Sequence, residues 1–254
     1  MVAQDFTGKV VIVTGSGSGI GRSCALKFAA LGASVVVADV NKERAEAVTK
    51  EIRQAGHSAV AVVGDLADQA VVDSCVRTAI DEFGQIDVLV NNAGIMDAMS
   101  APDEVTDSEW DRVLRTNLTA PFLLMRAVAP VMLEKGRGAI VNTTSEAALR
   151  GGSAGTPYTV SKHGLVGLTR SAATMYRGRG IRVNAVAPGA TATNIEVPAV
   201  EGLRGPSILG TYLGALGRIA DPDEVADVIV FLASESASNV SGTVVPVDNG
   251  WAAA

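Results

Sequence analysis

Residues 10–21 read VVIVTGSGSGIG, and this stretch decides the fold. A β-branched apolar run passes directly into a glycine-rich turn, and a helix is predicted from about Arg22 to Leu31. Glycines at such a turn let the backbone approach a pyrophosphate closely, and the positive end of the helix dipole favours the anion. The spacing is T-G-x-x-x-G-x-G and no G-K-[ST] follows, which argues against an ATPase loop. A tight glycine turn without a ligand is the alternative.

The first strand is one of several short apolar runs that alternate with amphipathic helical stretches. Alternation of this kind indicates right-handed crossovers and a parallel sheet covered by helices on both faces. The apolar runs are Val10–Val13, Val35–Ala38, Ala59–Val63, Val88–Val90, Ala139–Val141, Val183–Val186 and Val244–Val247. The clearest helical stretches are Lys42–Gln54, Gln69–Phe83 and Asp223–Ala233. We therefore expect a single α/β domain over residues 1–254, with a doubly wound, Rossmann-like, seven-stranded parallel sheet.

Composition excludes several classes of protein. The chain has 254 residues and a net charge of −6, which disfavours a nucleic-acid binder or an anionic-membrane binder. No apolar run reaches about 18 residues and the N-terminus lacks a basic n-region, so we expect neither a transmembrane helix nor a signal peptide. Cys24 and Cys75 form no C-x-x-C and are expected to be core residues of a reduced cytoplasmic protein.

Polar residues follow the predicted strands at the sheet edge where ligands of such folds collect. Asp39 closes the second strand, where a carboxylate can accept hydrogen bonds from both ribose hydroxyls of adenosine and so favours NAD over NADP. Neither Val40 nor Asn41 could bind a 2′-phosphate, although a solvated aspartate is the alternative. Asp65 could reach the adenine edge, and residues 91–94 (NNAG) end the fourth strand; a turn explains each almost as well.

Residues 157–162 read PYTVSK. On a helix, Tyr158 and Lys162 lie one turn apart on the same face. Free tyrosine has a pKa near ~10, and a cation within about 4–6 Å lowers a neighbouring pKa by about one to three units. The pair therefore indicates either packing or a phenol made reactive by the lysine.

Together these stretches resemble the classical short-chain dehydrogenase/reductase family, and the resemblance covers nearly the whole chain. Ser145 precedes Tyr158 by thirteen positions, as is usual in that family. The matching motifs are T14-G-S-G-S-G-I-G21, D65-L66, N91-N-A-G94, N117, S145, Y158-T-V-S-K162, N184 and P188-G189.

The resemblance implies a catalytic tetrad of Asn117, Ser145, Tyr158 and Lys162. Tyr158 would be the general acid/base, with its pKa lowered by Lys162, which would also hold the nicotinamide ribose. Ser145 would orient the substrate oxygen and Asn117 would hold a water in the proton path. The implied cofactor-binding residues are Gly15, Ser18, Gly19, Ile20, Asp39, Asp65, Leu66, Asn92, Ala93, Gly94, Tyr158, Lys162, Pro188, Gly189, Thr191 and Thr193.

Two segments concern the substrate. The excursion at about 190–217 is mostly apolar and interrupts the strand–helix rhythm, so we expect Thr191–Leu216 to be a mobile lid suited to a hydrophobic or cyclic alcohol, or else a subunit contact. Glu146 follows Ser145 where the family more often has a small or apolar residue, and it would alter substrate preference if it points into the site.

The leading hypothesis is an NAD(H)-dependent oxidoreductase that interconverts a secondary alcohol and a ketone. Its expected partner is an apolar small-molecule substrate. The alternatives are an NADPH-dependent 3-oxoacyl-carrier-protein reductase and a non-catalytic dinucleotide-binding protein. His57 and His163 are isolated, so no metal site is predicted. The family commonly forms oligomers, so the resemblance implies a homotetramer, with a dimer as the alternative, built on the helices after Asp107 and from Tyr158.

Overall fold

The computed structural model describes residues 4–253 and contains one seven-stranded sheet in which every paired strand is parallel. The strands are β1 (Val10–Thr14), β2 (Ser34–Asp39), β3 (Ala59–Val63), β4 (Val88–Asn91), β5 (Gly138–Thr143), β6 (Ile181–Pro188) and β7 (Val244–Val247). The α-helices are α1 (Gly19–Ala30), α2 (Lys42–Gln54), α3 (Gln69–Phe83), α4 (Asp107–Leu114), α5 (Ala120–Lys135), α6 (Thr156–Met175), α7 (Gly205–Leu213) and α8 (Pro222–Ala233). Short 3₁₀ turns cover Glu146–Ala148, Glu235–Ala237 and Trp251–Ala253, and a π-helical turn covers Arg115–Thr119.

The apolar runs are continuous because the sheet is buried on both faces. Val11 and Val13 pack in the core that contains α1 and α8, whereas Val10 and Ile12 pack in the core that contains α3 and α5. Successive side chains of a strand point to opposite faces, so each strand needs apolar residues at both parities. The predicted doubly wound α/β fold is confirmed.

The strand order is β3-β2-β1-β4-β5-β6-β7, so the chain reverses its direction of winding between β1 and β4. In open α/β sheets the ligand crevice lies at the carboxyl ends of the strands beside such a switch point. The order therefore brings the residues that follow β1, β2, β4 and β5 to one edge of the sheet.

Helix α1 differs most from its predicted bounds, since it begins at Gly19 and not near Arg22. Glycine lowers helix propensity, which is why the sequence favoured a later start. Position 21 lies inside the helix and needs glycine, because a Cβ there would stand 2.2 Å from the Gly15 carbonyl oxygen. Several strands extend one or two residues beyond their predicted ends, whereas α2 and α3 have the predicted bounds.

One helical run bears on the expectation that no transmembrane helix is present. Asp107–Lys135 is long and apolar enough to cross a membrane, judged by length and composition alone. Its apolar residues Leu124, Val128 and Met132 pack in the core beneath the sheet, and Arg126 lies on its outer side. The run therefore has the burial pattern of a core helix. Cys24 and Cys75 are buried free thiols, as predicted.

Candidate active site

A cleft of about 790 Å³ lies at the carboxyl edge of the sheet. It runs from Asp39 and Arg44, at the end of β2 and the start of α2, to Trp251 near the end of the chain. Every residue of the predicted cofactor-binding set lines this cleft, and so does Ser145. Of the predicted catalytic residues, only Asn117 lies behind the wall, where it is fully buried.

The glycine turn forms one wall of the cleft. Gly15 and Gly19 have φ angles of +61° and +52°, a region that favours glycine. A Cβ on Gly15 would stand 2.9 Å from Ala93 Cα, so the turn packs directly on the segment after β4. Ser18, the N-cap of α1, makes no side-chain capping bond, and the first turn of α1 carries no acidic residue. The amino end of α1 therefore keeps N–H groups and positive potential that suit an anion.

Asp39 is held by two backbone hydrogen bonds. Its Oδ2 accepts from the Gly17 N–H at 2.8 Å, and its Oδ1 accepts from the Asn41 N–H at 2.9 Å. Each carboxylate oxygen can accept a further bond, so the group stays able to receive two hydroxyl donors. The glycine turn and the end of β2 are thus locked together by the carboxylate.

Arg44 also lines the cleft and was missed from the sequence. It lies in the first turn of α2, where its N–H donates to the side chain of the N-cap Asn41 at 2.9 Å. A Cβ on Gly17 would stand 2.6 Å from Arg44 Cβ, which shows how near the residue lies to the glycine turn. The sequence predicts α2 with its correct start, but only the fold brings Arg44 beside the glycine turn. Arg22, by contrast, pairs with Glu51 at 2.7 Å.

Tyr158 and Lys162 lie one turn apart on α6, where their exposed fractions are 8% and 3%. Lys162 Nζ stands 5.4 Å from the centroid of the Tyr158 ring and donates to the Thr143 carbonyl oxygen at 3.0 Å. A Cβ on Gly94 would be 3.3 Å from Lys162 Nζ, so that glycine admits the ammonium. The structure brings Ser145, Tyr158 and Lys162 to one end of the cleft.

The protein's own groups raise the pKa of Tyr158 to about 12, mainly because burial penalises the phenolate. A hydrogen bond with Ser145 opposes this shift, and the charge of Asp97 adds to it. Burial also lowers the pKa of Lys162 to about 8. In the protein without a bound dinucleotide the pKa of Tyr158 is thus raised, because the phenol loses its hydration while the Lys162 ammonium lies over the ring and bonds the Thr143 carbonyl. The lowering of this pKa by Lys162 together with an oxidised nicotinamide stays a prediction.

Asn117 lies in the π-helical turn between α4 and α5. Its Oδ1 accepts from the Ile95 N–H at 2.9 Å, while its Nδ2 donates to the Ile95 carbonyl at 2.9 Å and to Ser161 Oγ at 3.2 Å. The side chain thus joins the loop after β4 to α6. The water predicted for this residue stays a prediction.

Glu146 does not line the cleft, so it does not point into the site. It is fully buried, and its carboxylate bonds Arg150 and Ser153. Arg150 in turn lies over the Trp251 ring, 5.3 Å from its centroid, and both Ser153 and Trp251 line the cleft. Glu146 can affect substrate preference only through these neighbours.

The excursion between β6 and α8 closes the far end of the cleft and carries α7. Glu104 binds the amino end of α7: one carboxylate oxygen accepts from the Arg204 N–H at 2.6 Å and the other from the Gly205 N–H at 3.2 Å. The lining residues at this end are mostly apolar, namely Ile95, Met96, Met99, Ile195, Val197, Leu213, Leu216, Ile219 and Trp251.

Comparison with known proteins gives consistent results. The family model described as enoyl-(acyl carrier protein) reductase matches residues 15–252. The chain is 41% identical to a cis-4-hydroxycyclohexanecarboxylate dehydrogenase from Sinomonas cyclohexanicum, over 99% of this chain and 100% of the relative. It is 39% identical to a cyclohexanol dehydrogenase from an Acinetobacter species, over 99% and 98%. The crystal structure of levodione reductase matches with a TM-score of 0.89 and 37% identity, covering 98% of this chain and 99% of the other.

Proposed function

The chain belongs to the short-chain dehydrogenase/reductase family, and we propose that it is an NAD(H)-dependent enzyme that interconverts an apolar, ring-containing secondary alcohol and its ketone. One observation carries this proposal. Ser145, Tyr158 and Lys162 meet at the apolar end of a cleft whose other end offers an uncapped helix terminus and Asp39.

The residues along the cleft fit a nicotinamide dinucleotide. The amino end of α1 would hold the pyrophosphate, and Asp39 would accept bonds from the adenosine ribose. Lys162 would hold the second ribose. Thr191 and Thr193 also line the cleft, and Thr193 lies against Gly19 of the glycine turn. When bound, the dinucleotide supplies the acceptor or donor of the hydride.

The protein's own groups would handle the proton. In alcohol oxidation, Ser145 orients the hydroxyl by a hydrogen bond and Tyr158 takes its proton as general base. In ketone reduction, the same phenol returns a proton to the oxygen. Because burial holds the pKa of Tyr158 at about 12, the phenolate needs positive charge nearby, and Lys162 is the cation that the chain provides.

The substrate class follows from the lining of the cleft. The substrate end carries Ile95, Met96, Leu213, Leu216 and other apolar side chains, whereas the charged residues Asp39, Arg44 and Asp65 line the opposite end. Apolar lining with a few convergent polar groups suits a hydrophobic ligand better than a sugar or a polyanion. The two named dehydrogenase relatives act on cyclohexane alcohols, which supports a ring-containing substrate.

One observation favours a second function. Arg44 lines the cleft near Asp39, and an arginine there could bind a 2′-phosphate, which keeps an NADPH-dependent 3-oxoacyl-carrier-protein reductase as the alternative. The family model that matches is also described as a reductase of carrier-protein substrates. A non-catalytic binding protein would have no use for the buried Tyr158–Lys162 pair. The predicted homotetramer and cytoplasmic location stay predictions.

A substrate panel tests the proposal. Cyclohexanol, substituted cyclohexanols, linear secondary alcohols and an acetoacetyl thioester are assayed in both directions with NAD, NADP, NADH and NADPH, by absorbance of the reduced nicotinamide. We expect the highest kcat/KM for a cyclic alcohol or ketone with NAD(H). Highest kcat/KM for the thioester with NADPH would establish the alternative, and no turnover of any compound would contradict both.

The lid is tested at Glu104, whose pKa is lowered to about 2 by its backbone bonds to Arg204 and Ala101. Because the pKa of Glu104 is lower in the folded state than in the unfolded state, its ionised carboxylate stabilises the folded protein. This stabilisation is present above the unfolded pKa and is lost as the pH falls toward about 2. We expect Glu104→Gln to speed amide hydrogen exchange in Gly205–Leu213 at neutral pH, while the sheet is unchanged.

The matched control is Glu224→Gln. Glu224 forms the capping box of α8 and also has a pKa lowered to about 2, but it does not contact α7. Its variant should speed exchange in Pro222–Ala233 only. Bound cofactor and substrate should slow exchange in Gly205–Leu213 of the unaltered protein, and equal protection with and without them would show that this segment is not a lid.

A further inference from the structure

Asp97 is a buried carboxylate that neither the cleft lining nor the predicted tetrad includes. It lies in the loop between β4 and α4, and its exposed fraction is 0%. Three backbone N–H groups donate to it: Met99 at 3.0 Å, Gly155 at 3.1 Å and Tyr158 at 2.9 Å. Within residues 4–253, the groups that shift its pKa are these N–H groups, burial and Glu109, none of them a cation.

These contacts place a negative charge at the amino end of α6. The first N–H groups of a helix have no partner within the helix and are usually bound by an N-cap side chain. The N-cap of α6 is Gly155, which has no side chain to offer, and Pro157 at the second helical position has no N–H. Asp97 replaces the missing cap from a distant segment and complements the helix dipole.

The close fit shows that the arrangement is specific. A Cβ on Gly155 would stand 2.6 Å from Asp97 Oδ2, so only glycine leaves room for the carboxylate. Met99 has a φ of +61°, a conformation that side chains other than glycine rarely adopt, and its N–H bonds the same carboxylate. The loop and the helix are thus shaped around Asp97.

The N–H of Tyr158 belongs to the residue whose phenol is the proposed acid/base. We propose that Asp97 is a positioning residue of the proposed reaction: its carboxylate fixes the amino end of α6 and so holds the Tyr158 phenol in place against Ser145. This inference rests on the proposed function. A small misplacement of a reacting group by a distant change can lower turnover by about 100-fold.

The charge of Asp97 has a second consequence, since it acts on Tyr158 through space and favours the protonated phenol. The other charged groups around this end of α6 are Lys162 over the ring, Glu109 beside Asp97, Glu146, which is paired with Arg150, and Arg112 of α4, which donates to the Met96 carbonyl at 3.4 Å. Removing the Asp97 charge should therefore lower the pKa of Tyr158. In alcohol oxidation the phenol must be ionised, so the rising limb of the pH profile should move to lower pH.

Asp97→Asn tests the proposal, because it keeps the size of the side chain and one acceptor but removes the charge. We expect kcat for alcohol oxidation at a pH above the rising limb to fall about 10–100-fold, while cofactor affinity changes little. The midpoint of the rising limb should move down. The control is Glu109→Gln, which alters a carboxylate that bonds Ala98 and Ser100 on the same loop but does not touch α6.

A second readout needs no turnover and so separates this inference from the proposed function. The phenol of Tyr158 is titrated by NMR of ¹³C-labelled tyrosine in a Tyr176→Phe, Tyr212→Phe background, and its midpoint should be lower in Asp97→Asn. An unchanged kcat, or a loss of kcat without a shift of this midpoint, would overturn the proposal. If Asp97→Asn does not fold, the backbone amide resonance of Tyr158 is followed in the unaltered protein while the pH is lowered through the titration of Asp97. A chemical shift that does not change over that range would overturn the proposal.

Discussion

Replacing Tyr158 by phenylalanine is expected to lower turnover by at least about 10²–10⁴-fold, the usual loss when a general acid/base is removed. The change removes only the hydroxyl, and the ring stays buried between Lys162 and the loop after β4. Cofactor affinity should change little, because the glycine turn and Asp39 are untouched. Steady-state kinetics in both directions and a fluorescence titration with NADH measure the two quantities.

Tyr176→Phe is the matched control, since Tyr176 is the C-cap of the same helix and does not line the cleft. It should keep normal turnover. In the unaltered enzyme the oxidation rate should rise with pH as the phenol ionises, and the residual rate of Tyr158→Phe should lose that rise. Near-normal turnover of a folded Tyr158→Phe protein would exclude the proposed chemistry.

The fold could be predicted because its signals are local. The strands are apolar at both parities, and α2 and α3 begin after Asn41 and Asp68, whose side chains cap them as short-range propensity predicts. Gly19 and Gly21 concealed the true start of α1: Gly19 has a φ of +52°, and a side chain on Gly21 would clash with the Gly15 carbonyl. Both requirements come from the fold of the turn and cannot be seen in helix propensity.

The parts of the site that could not be predicted depend on contacts between distant segments. Asp97 bonds the N–H of Tyr158 across 61 positions, and Glu104 bonds that of Arg204 across 100. No spacing in the sequence marks such pairs. The raised pKa of Tyr158 in the protein without cofactor could not be predicted for a related reason: helical spacing places Lys162 over the ring, but the burial that raises the pKa depends on the whole fold.

Replacing Asp39 by alanine is expected to have the second large effect, because it should reverse the preference for NAD over NADP. Charge-assisted hydrogen bonds from the ribose hydroxyls to Asp39 are worth about 1.5–3 kcal/mol, and a 2′-phosphate would remove one donor and add repulsion. A difference of about 2.7 kcal/mol corresponds to a hundredfold preference for NAD. The variant should lower kcat/KM with NAD and raise it with NADP, measured on one good cyclic substrate.

Two further variants separate the contributions to that change. Asp39→Asn keeps an acceptor for the Gly17 N–H, which Asp39 now binds at 2.8 Å, so it should lose less NAD activity than Asp39→Ala if part of the loss comes from loosening the glycine turn. Arg44 lines the cleft near Asp39, and without the carboxylate its guanidinium becomes the natural partner of a 2′-phosphate. Adding Arg44→Ala to Asp39→Ala should therefore abolish the gain with NADP. If the unaltered enzyme uses NADP as well as NAD, Arg44 already outweighs Asp39, and the proposed NAD preference is wrong.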